Sequence, residues 1–171
     1  MDKYLLGGTK LMWHPERIAK WLDGETIYPL YIDVGLGKGC NIRCHYCFGK
    51  LQENEHSKSK NVCFPRKPLL KYMRDVGQCG VKGIGIIGES EPTLNPNLYD
   101  AIQVGVDNGV DIGLGTNGIL FDKGKDGLKA LENLTYIRFN LSVASDKSYR
   151  VLHGSKEFDK VMETIKFCVK S

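Results

Sequence analysis

Cys40, Cys44 and Cys47 stand close together in the stretch Gly39-Cys40-Asn41-Ile42-Arg43-Cys44-His45-Tyr46-Cys47-Phe48. Thiolates are soft ligands that suit zinc or iron–sulfur clusters. Three on one short loop can hold three irons of a cubane, which leaves the fourth iron open to a small molecule. Zinc is the other reading, with His45 or a distant residue completing a tetrahedral set. Against it, His45 lies between two of the cysteines, where its side chain is poorly placed to share their metal, and structural zinc sites more often use two separated ligand pairs. The three are also too crowded for a useful disulfide framework, so in a reducing compartment they read as metal ligands. Cys63, Cys79 and Cys168 are isolated and read as buried or incidental thiols. His14, His56 and His153 read as ordinary surface or capping residues.

A loop of this kind needs a strand to hold it. Residues 30–36 alternate as a strand, with Ile32, Val34 and Leu36 on one side and Tyr31, Asp33 and Gly35 on the other. Before it, Pro15 opens a short lead-in helix with Ile18, Trp21 and Leu22 on one face, and Gly24 ends it. Trp13 and Trp21 read as packing residues. Residues 51–61 form a polar, lysine-rich connection. Pro68 opens a helix carrying Leu69, Met73 and Val76, and residues 81–87 make a second strand that runs into Gly88-Glu89-Ser90-Glu91-Pro92. Asn95 is a good N-cap and Pro96 a good first helical residue; Leu98, Ala101, Ile102 and Gly105 supply the buried stripe of that helix. A third strand, 110–115, ends in Thr116-Asn117-Gly118. A short helix over 128–134 leads to a fourth strand, 136–143, with Arg138, Asn140 and Ser142 on its polar face. A last helix carries Phe158, Val161, Ile165 and Cys168.

Four strand–helix alternations predict an α/β protein with a parallel sheet and crossover helices. In such sheets chemistry gathers at the carboxyl ends of the strands. The cysteine loop, Glu91, Thr116-Asn117 and the Asn140/Ser142 face all fall there. Gly83 and Gly85 fit no nucleotide-binding signature, and no lysine follows them.

Taken together, these motifs resemble the radical S-adenosylmethionine (SAM) superfamily. Cys40-x-x-x-Cys44-x-x-Cys47, with Tyr46 before the last cysteine, is similar to its signature after the first strand. Gly88 to Pro92 resembles its glycine-glutamate-proline segment after the second. The resemblance covers 27–171 and implies a partial (β/α) barrel of about four units, binding a [4Fe–4S] cluster and SAM. It implies reductive cleavage of SAM to start radical chemistry on a substrate, with the difficult chemistry carried by the cofactors. By the same resemblance Cys40, Cys44 and Cys47 are the cluster ligands, and Tyr46 borders the adenine. Glu91 accepts from the SAM ammonium; Gly88 and Ser90 approach SAM; Asn117 contacts it, and Asn140 and Ser142 reach its ribose hydroxyls or carboxylate. Where many members carry a double glycine, this chain has Ser90, so Glu89 competes for the role of Glu91. Glu91 is preferred because it directly precedes Pro92.

At 171 residues the chain suits one well-buried domain. We expect residues 1–26 to be a lead-in and 27–171 the partial core domain. Two further β/α units would be needed to close a six-strand barrel, so a missing C-terminal half or a partner completing the barrel is expected. The net charge of +4 is mild and its lysines and arginines are scattered, so nucleic acid is neither indicated nor excluded. No apolar run approaches a membrane span or a secretory signal, and a cytoplasmic location is the expectation. The electron would come from an external flavodoxin- or ferredoxin-like donor; the substrate, small molecule or peptide, is not readable. Two other readings stay open at this point: a truncated, non-catalytic cluster- and SAM-binding module, and a zinc-bound structural domain.

Overall fold

The computed structural model describes residues 12–48, 62–88 and 90–171. The predicted 51–61 connection, His56 and Glu89 lie outside them. Four parallel strands form the sheet: β1 (Tyr31–Val34), β4 (Gly83–Ile86), β5 (Asp111–Thr116) and β6 (Leu134–Phe139), side by side in that order. Helices α2 (Arg66–Gln78), α3 (Leu98–Asp107) and α4 (Lys125–Asn133) make the crossovers between them, as the sequence alternation predicts. α5 (Asp146–His153) and α6 (Phe158–Lys170) follow the last strand, and α1 (Pro15–Leu22) precedes the first.

The two faces of the sheet differ in kind. Ile32, Ile84 and Ile112 align across three strands, as do Val34, Ile86, Leu114 and Ile137 across four. This β-branched face packs on Leu69, Met73 and Val76 of α2 and on Leu98, Ala101 and Ile102 of α3 to make the main core. The opposite face carries glycines. Tyr31 lies across Gly85 so closely that a Cβ there would meet the tyrosine oxygen at 2.0 Å, and Tyr136 covers Gly113 in the same way at 2.2 Å. The glycines of 81–87 are thus seats for tyrosine rings on the inner face.

Several local expectations need correction. α2 starts at Arg66, with Pro65 as its N-cap residue. α3 is preceded by a 3₁₀ turn over Pro92–Leu94, and its N-cap is Asn97. Asn95 has a larger task. Buried, it donates from Nδ2 to the carbonyls of Leu36 (2.8 Å) and Phe64 (3.0 Å) and accepts from the Asn97 amide at 2.9 Å. Between them, β2 (Gly37–Lys38) and β3 (Val62–Cys63) pair antiparallel, so both feet of the cysteine excursion are tied together. The lead-in α1 buries no residue; Trp13 and Trp21 are 54% and 62% exposed, so they do not pack as expected. α1 is instead held through Arg17, whose guanidinium donates to the carbonyls of Tyr28 and Gly80.

The predicted fourth strand also stops early. β6 ends at Phe139; the Leu141 amide turns back to the Phe139 carbonyl at 3.0 Å. Asn140 and Ser142 are therefore presented by a turn and not by strand alternation. Nor is His153 a surface residue; it is fully buried. It ends α5, and Gly154 follows in the left-handed conformation at φ 61°, a position that favours glycine at a helix C-terminus.

Candidate cofactor site at the strand ends

The cysteine loop leaves the sheet just after β2 and is pinned at three places. At its start the Glu91 amide donates to the Gly39 carbonyl at 3.0 Å, and Gly39 bridges to Ser90. In its middle the amides of Arg43 and His45 donate to the carbonyls of His153 (3.2 Å) and Leu152 (2.9 Å). Beneath it, Ile42 and Cys44 pack with Ile119, Tyr149 and Val161 as a second core. Gly154 allows the approach from α5, since a Cβ there would stand 2.8 Å from the Arg43 carbonyl oxygen.

Glu91, Thr116 and Asn117 form one buried knot where β4 and β5 end. Glu91 Oε1 accepts from the Thr93 amide (3.1 Å), the Thr93 hydroxyl (2.6 Å) and the Thr116 hydroxyl (2.6 Å). Its Oε2 accepts from the Asn117 amide at 2.8 Å. Asn117 in turn accepts from the Ile119 amide and donates from Nδ2 to Asn41 at 2.7 Å and to the Cys40 sulfur at 3.7 Å. Gly88, at φ 152°, brings this turn against Gly35, and Ser90 follows with a buried hydroxyl that has no partner among the described residues. Glu89, the rival acid, falls outside the description.

On the far side, Tyr46 is half exposed and its hydroxyl donates to Asn140 Oδ1 at 3.0 Å, with Ser142 Oγ at 3.1 Å. The sequence-derived candidates Tyr46, Asn140 and Ser142 are thus one hydrogen-bonded group. Asn140 Nδ2 also lies 3.9 Å from the Cys44 sulfur.

His153 is the functional candidate that motif reasoning passed over. It is fully buried, stacks on Tyr149 with ring centroids 4.5 Å apart, and places Nδ1 3.2 Å from the Cys44 sulfur. The available signals were a helix start at Ser145, whose side chain accepts from the Ser148 amide, and a glycine stop at Gly154.

Burial pushes the Cys40 and Cys44 thiols up and the His153 imidazole down; burial also pushes the Tyr149 hydroxyl up to about 12. A metal at the thiols reverses that tendency for the cysteines, because a coordinating sulfur is deprotonated outright. Among the described residues no three His, Cys, Asp or Glu side chains converge tightly enough to hold a single ion. A cubane asks for something different, since each of its thiolates binds its own iron. Three soft donors on one loop, N–H groups aimed at two of the sulfurs, and an unpartnered hydroxyl at Ser90 fit an iron–sulfur cluster with a small polar ligand beside it.

No helix among the described residues is long and apolar enough to cross a membrane. Comparison with known proteins agrees with the fold and the motifs. The chain is 32% identical over 152 residues to a GTP 3',8-cyclase of Staphylococcus epidermidis, matching 85% of this chain and 43% of that protein. It is 29% identical over 132 residues to a probable GTP 3',8-cyclase of Archaeoglobus fulgidus, matching 77% and 42%. The chain therefore spans about two fifths of the length of these curated relatives. Among solved structures, Streptococcus suis SuiB bound to its precursor peptide SuiA superposes with a TM-score of 0.69 at 20% identity, covering 99% of this chain and 38% of SuiB. Native anSMEcpe with bound AdoMet gives 0.64 at 19%, covering 84% and 42%. These likenesses match a partial radical SAM barrel. The Radical SAM superfamily profile matches residues 34–171, and the chain belongs to that superfamily.

Proposed function

We propose that this chain is the cofactor-binding part of a radical SAM enzyme, with Cys40, Cys44 and Cys47 holding a [4Fe–4S] cluster beside a SAM site. The observation that carries this reading is the convergence of the Asn117 and Asn140 side-chain amides on the sulfurs of Cys40 and Cys44, next to the strand ends that present Ser90 and Glu91. When bound, the cluster supplies the electron that cleaves SAM reductively and so starts radical chemistry.

The protein groups have separate tasks. Glu91 Oε2 accepts from the Asn117 amide and keeps acceptor capacity for the ammonium of SAM. The Ser90 hydroxyl and the backbone at Gly88 meet the same ligand from the β4 end. Tyr46, braced by Asn140 and Ser142, walls the adenosine side. Asn117 orients both Cys40 and Glu91, so one residue would brace a cluster ligand and the acceptor for the SAM ammonium together. The electron comes from a flavodoxin- or ferredoxin-like donor in a cytoplasmic, reducing setting. GTP is the substrate class that the named cyclase relatives favour.

A second reading has its own support. The chain spans about two fifths of those relatives, and the second reading is a cluster- and SAM-binding module that does not turn over by itself. One experiment separates the two. The protein is reconstituted anaerobically with iron and sulfide, reduced, given SAM, and chromatographed for 5′-deoxyadenosine. Broad visible absorbance with product supports the enzyme; absorbance without product supports the module. A colourless, zinc-loaded protein would defeat both. Cys44→Ala is expected to take up no cluster, and a variant that still cleaves SAM would remove Cys44 from the ligand set.

A further inference from the structure

His153 is tied to the cysteine loop in a way that the SAM-binding reading does not use. Its ring is fully buried, stacked on Tyr149 and in edge contact with Tyr46, whose ring centroid is 5.8 Å away. The backbone amide of Ser142 donates to Nε2 at 3.3 Å. An amide N–H cannot accept, so Nε2 must carry the lone pair and the ring proton of the neutral imidazole sits on Nδ1. Nδ1 faces the Cys44 sulfur at 3.2 Å, with the Tyr46 hydroxyl further off at 3.5 Å. Backbone bonds from Arg43 and His45 to the carbonyls of His153 and Leu152 hold the donor and the acceptor sulfur in register.

We propose that His153 is a built-in hydrogen-bond donor to the Cys44 sulfur and sets the reduction potential of the cluster. The inference rests on the reading of Cys40, Cys44 and Cys47 as cluster ligands. An N–H···S bond draws electron density from the thiolate. The reduced cluster carries one more negative charge than the oxidised one, so the bond stabilises it more and raises the potential. His153 is a positioning residue: it touches a ligand atom and takes no part in bond making. The Asn140 amide, at 3.9 Å from the same sulfur, is a much weaker second donor.

The test is an EPR-monitored redox titration of the anaerobically reconstituted protein. His153→Phe keeps a stacking ring and removes the donor. It is expected to load as much iron as the unmodified protein while shifting the reduction equilibrium about tenfold toward the oxidised cluster, a fall of about 59 mV for a one-electron couple. His153→Asn restores an N–H near the Nδ1 position and is expected to recover much of that shift. An unchanged potential in His153→Phe with full iron content would overturn the proposal.

A measurement that needs no change at position 153 covers a variant that fails to load. In a His45→Ala background with ¹⁵N-labelled histidine, the reduced cluster is expected to show a ¹⁵N hyperfine coupling in pulsed EPR. Its absence in a cluster-loaded sample overturns the proposal equally. If the unmodified protein assembles no cluster at all, the ligand reading itself falls, and the visible absorbance reports this before any titration begins.

Discussion

Glu91 sits where β4 and β5 end, and its carboxylate accepts hydrogen bonds from Thr93, Thr116 and Asn117 while almost fully shielded from water. Such charge-assisted bonds are among the stronger ones a protein makes. Glu91→Ala would strand several buried donors, so we expect a loss of about 2–4 kcal/mol in urea unfolding. Loss of SAM affinity in that variant would say little about direct contact. Glu91→Gln keeps the shape and a carbonyl acceptor while removing the charge. We expect it to fold and to load iron near normally but to bind SAM at least tenfold more weakly by calorimetry. Unchanged SAM affinity in Glu91→Gln would take the ammonium contact away from this residue.

The glutamate itself was legible in the chain, because an acid before Pro92 at a strand end is an unusual pattern. Its donors were not, since nothing in Thr93 or Thr116 announces a shared partner. His153 was illegible for a different reason. Its partner lies 109 positions away, and a histidine at a buried helical position looks in sequence like a polar surface residue.

At the scale of elements, the loop depends on how its two feet are joined. The Asn95 side chain binds the carbonyls at Leu36 and Phe64, the Phe64 amide donates to the Leu36 carbonyl at 2.8 Å, and β2 pairs with β3 directly above. Asn95→Ala would take one donor from the buried Leu36 carbonyl, which keeps the Phe64 amide, and one from the part-buried Phe64 carbonyl. We expect it to cost about 1–3 kcal/mol and to speed hydrogen exchange at the Phe64 amide well beyond the global change. Exchange that tracks global stability alone would mean that the feet hold without Asn95. The periodicity of residues 30–36 located the strand. The hairpin above it escaped notice, because a pair of two-residue strands has no period to read. The same limit explains α5. Its buried positions are Tyr149 and His153, four apart, and neither is aliphatic. The aliphatic faces of α2, α3 and α6, by contrast, were plain.

At the scale of the molecule, the sheet has β1 at one side and β6 at the other, each paired on a single edge among the described residues. Paired and unpaired amides alternate along such an edge strand. For this chain alone we expect slow exchange at every second amide of β6 and fast exchange between them. Uniform protection along Leu134–Phe139 would reveal a strand partner beyond β5. The parallel α/β class followed from the order of strands and helices, since short crossovers leave few arrangements. The flat tyrosines over Gly85 and Gly113 did not, because a glycine in a strand does not say which ring it makes room for.

The clamp between the cysteine loop and residues 152–154 also sets a timetable. The segment carrying Cys40 to Cys47 is made early on the ribosome, but Arg43, Cys44 and His45 meet their partners only after α5 has been synthesised and its glycine stop has turned. Until then the thiols belong to an unfinished loop, free to oxidise or to catch a stray ion. On the proposed ligand reading, cluster delivery is expected to be a late event, matched to a chain complete at least through Gly154, with the helix that closes the site serving as its clock.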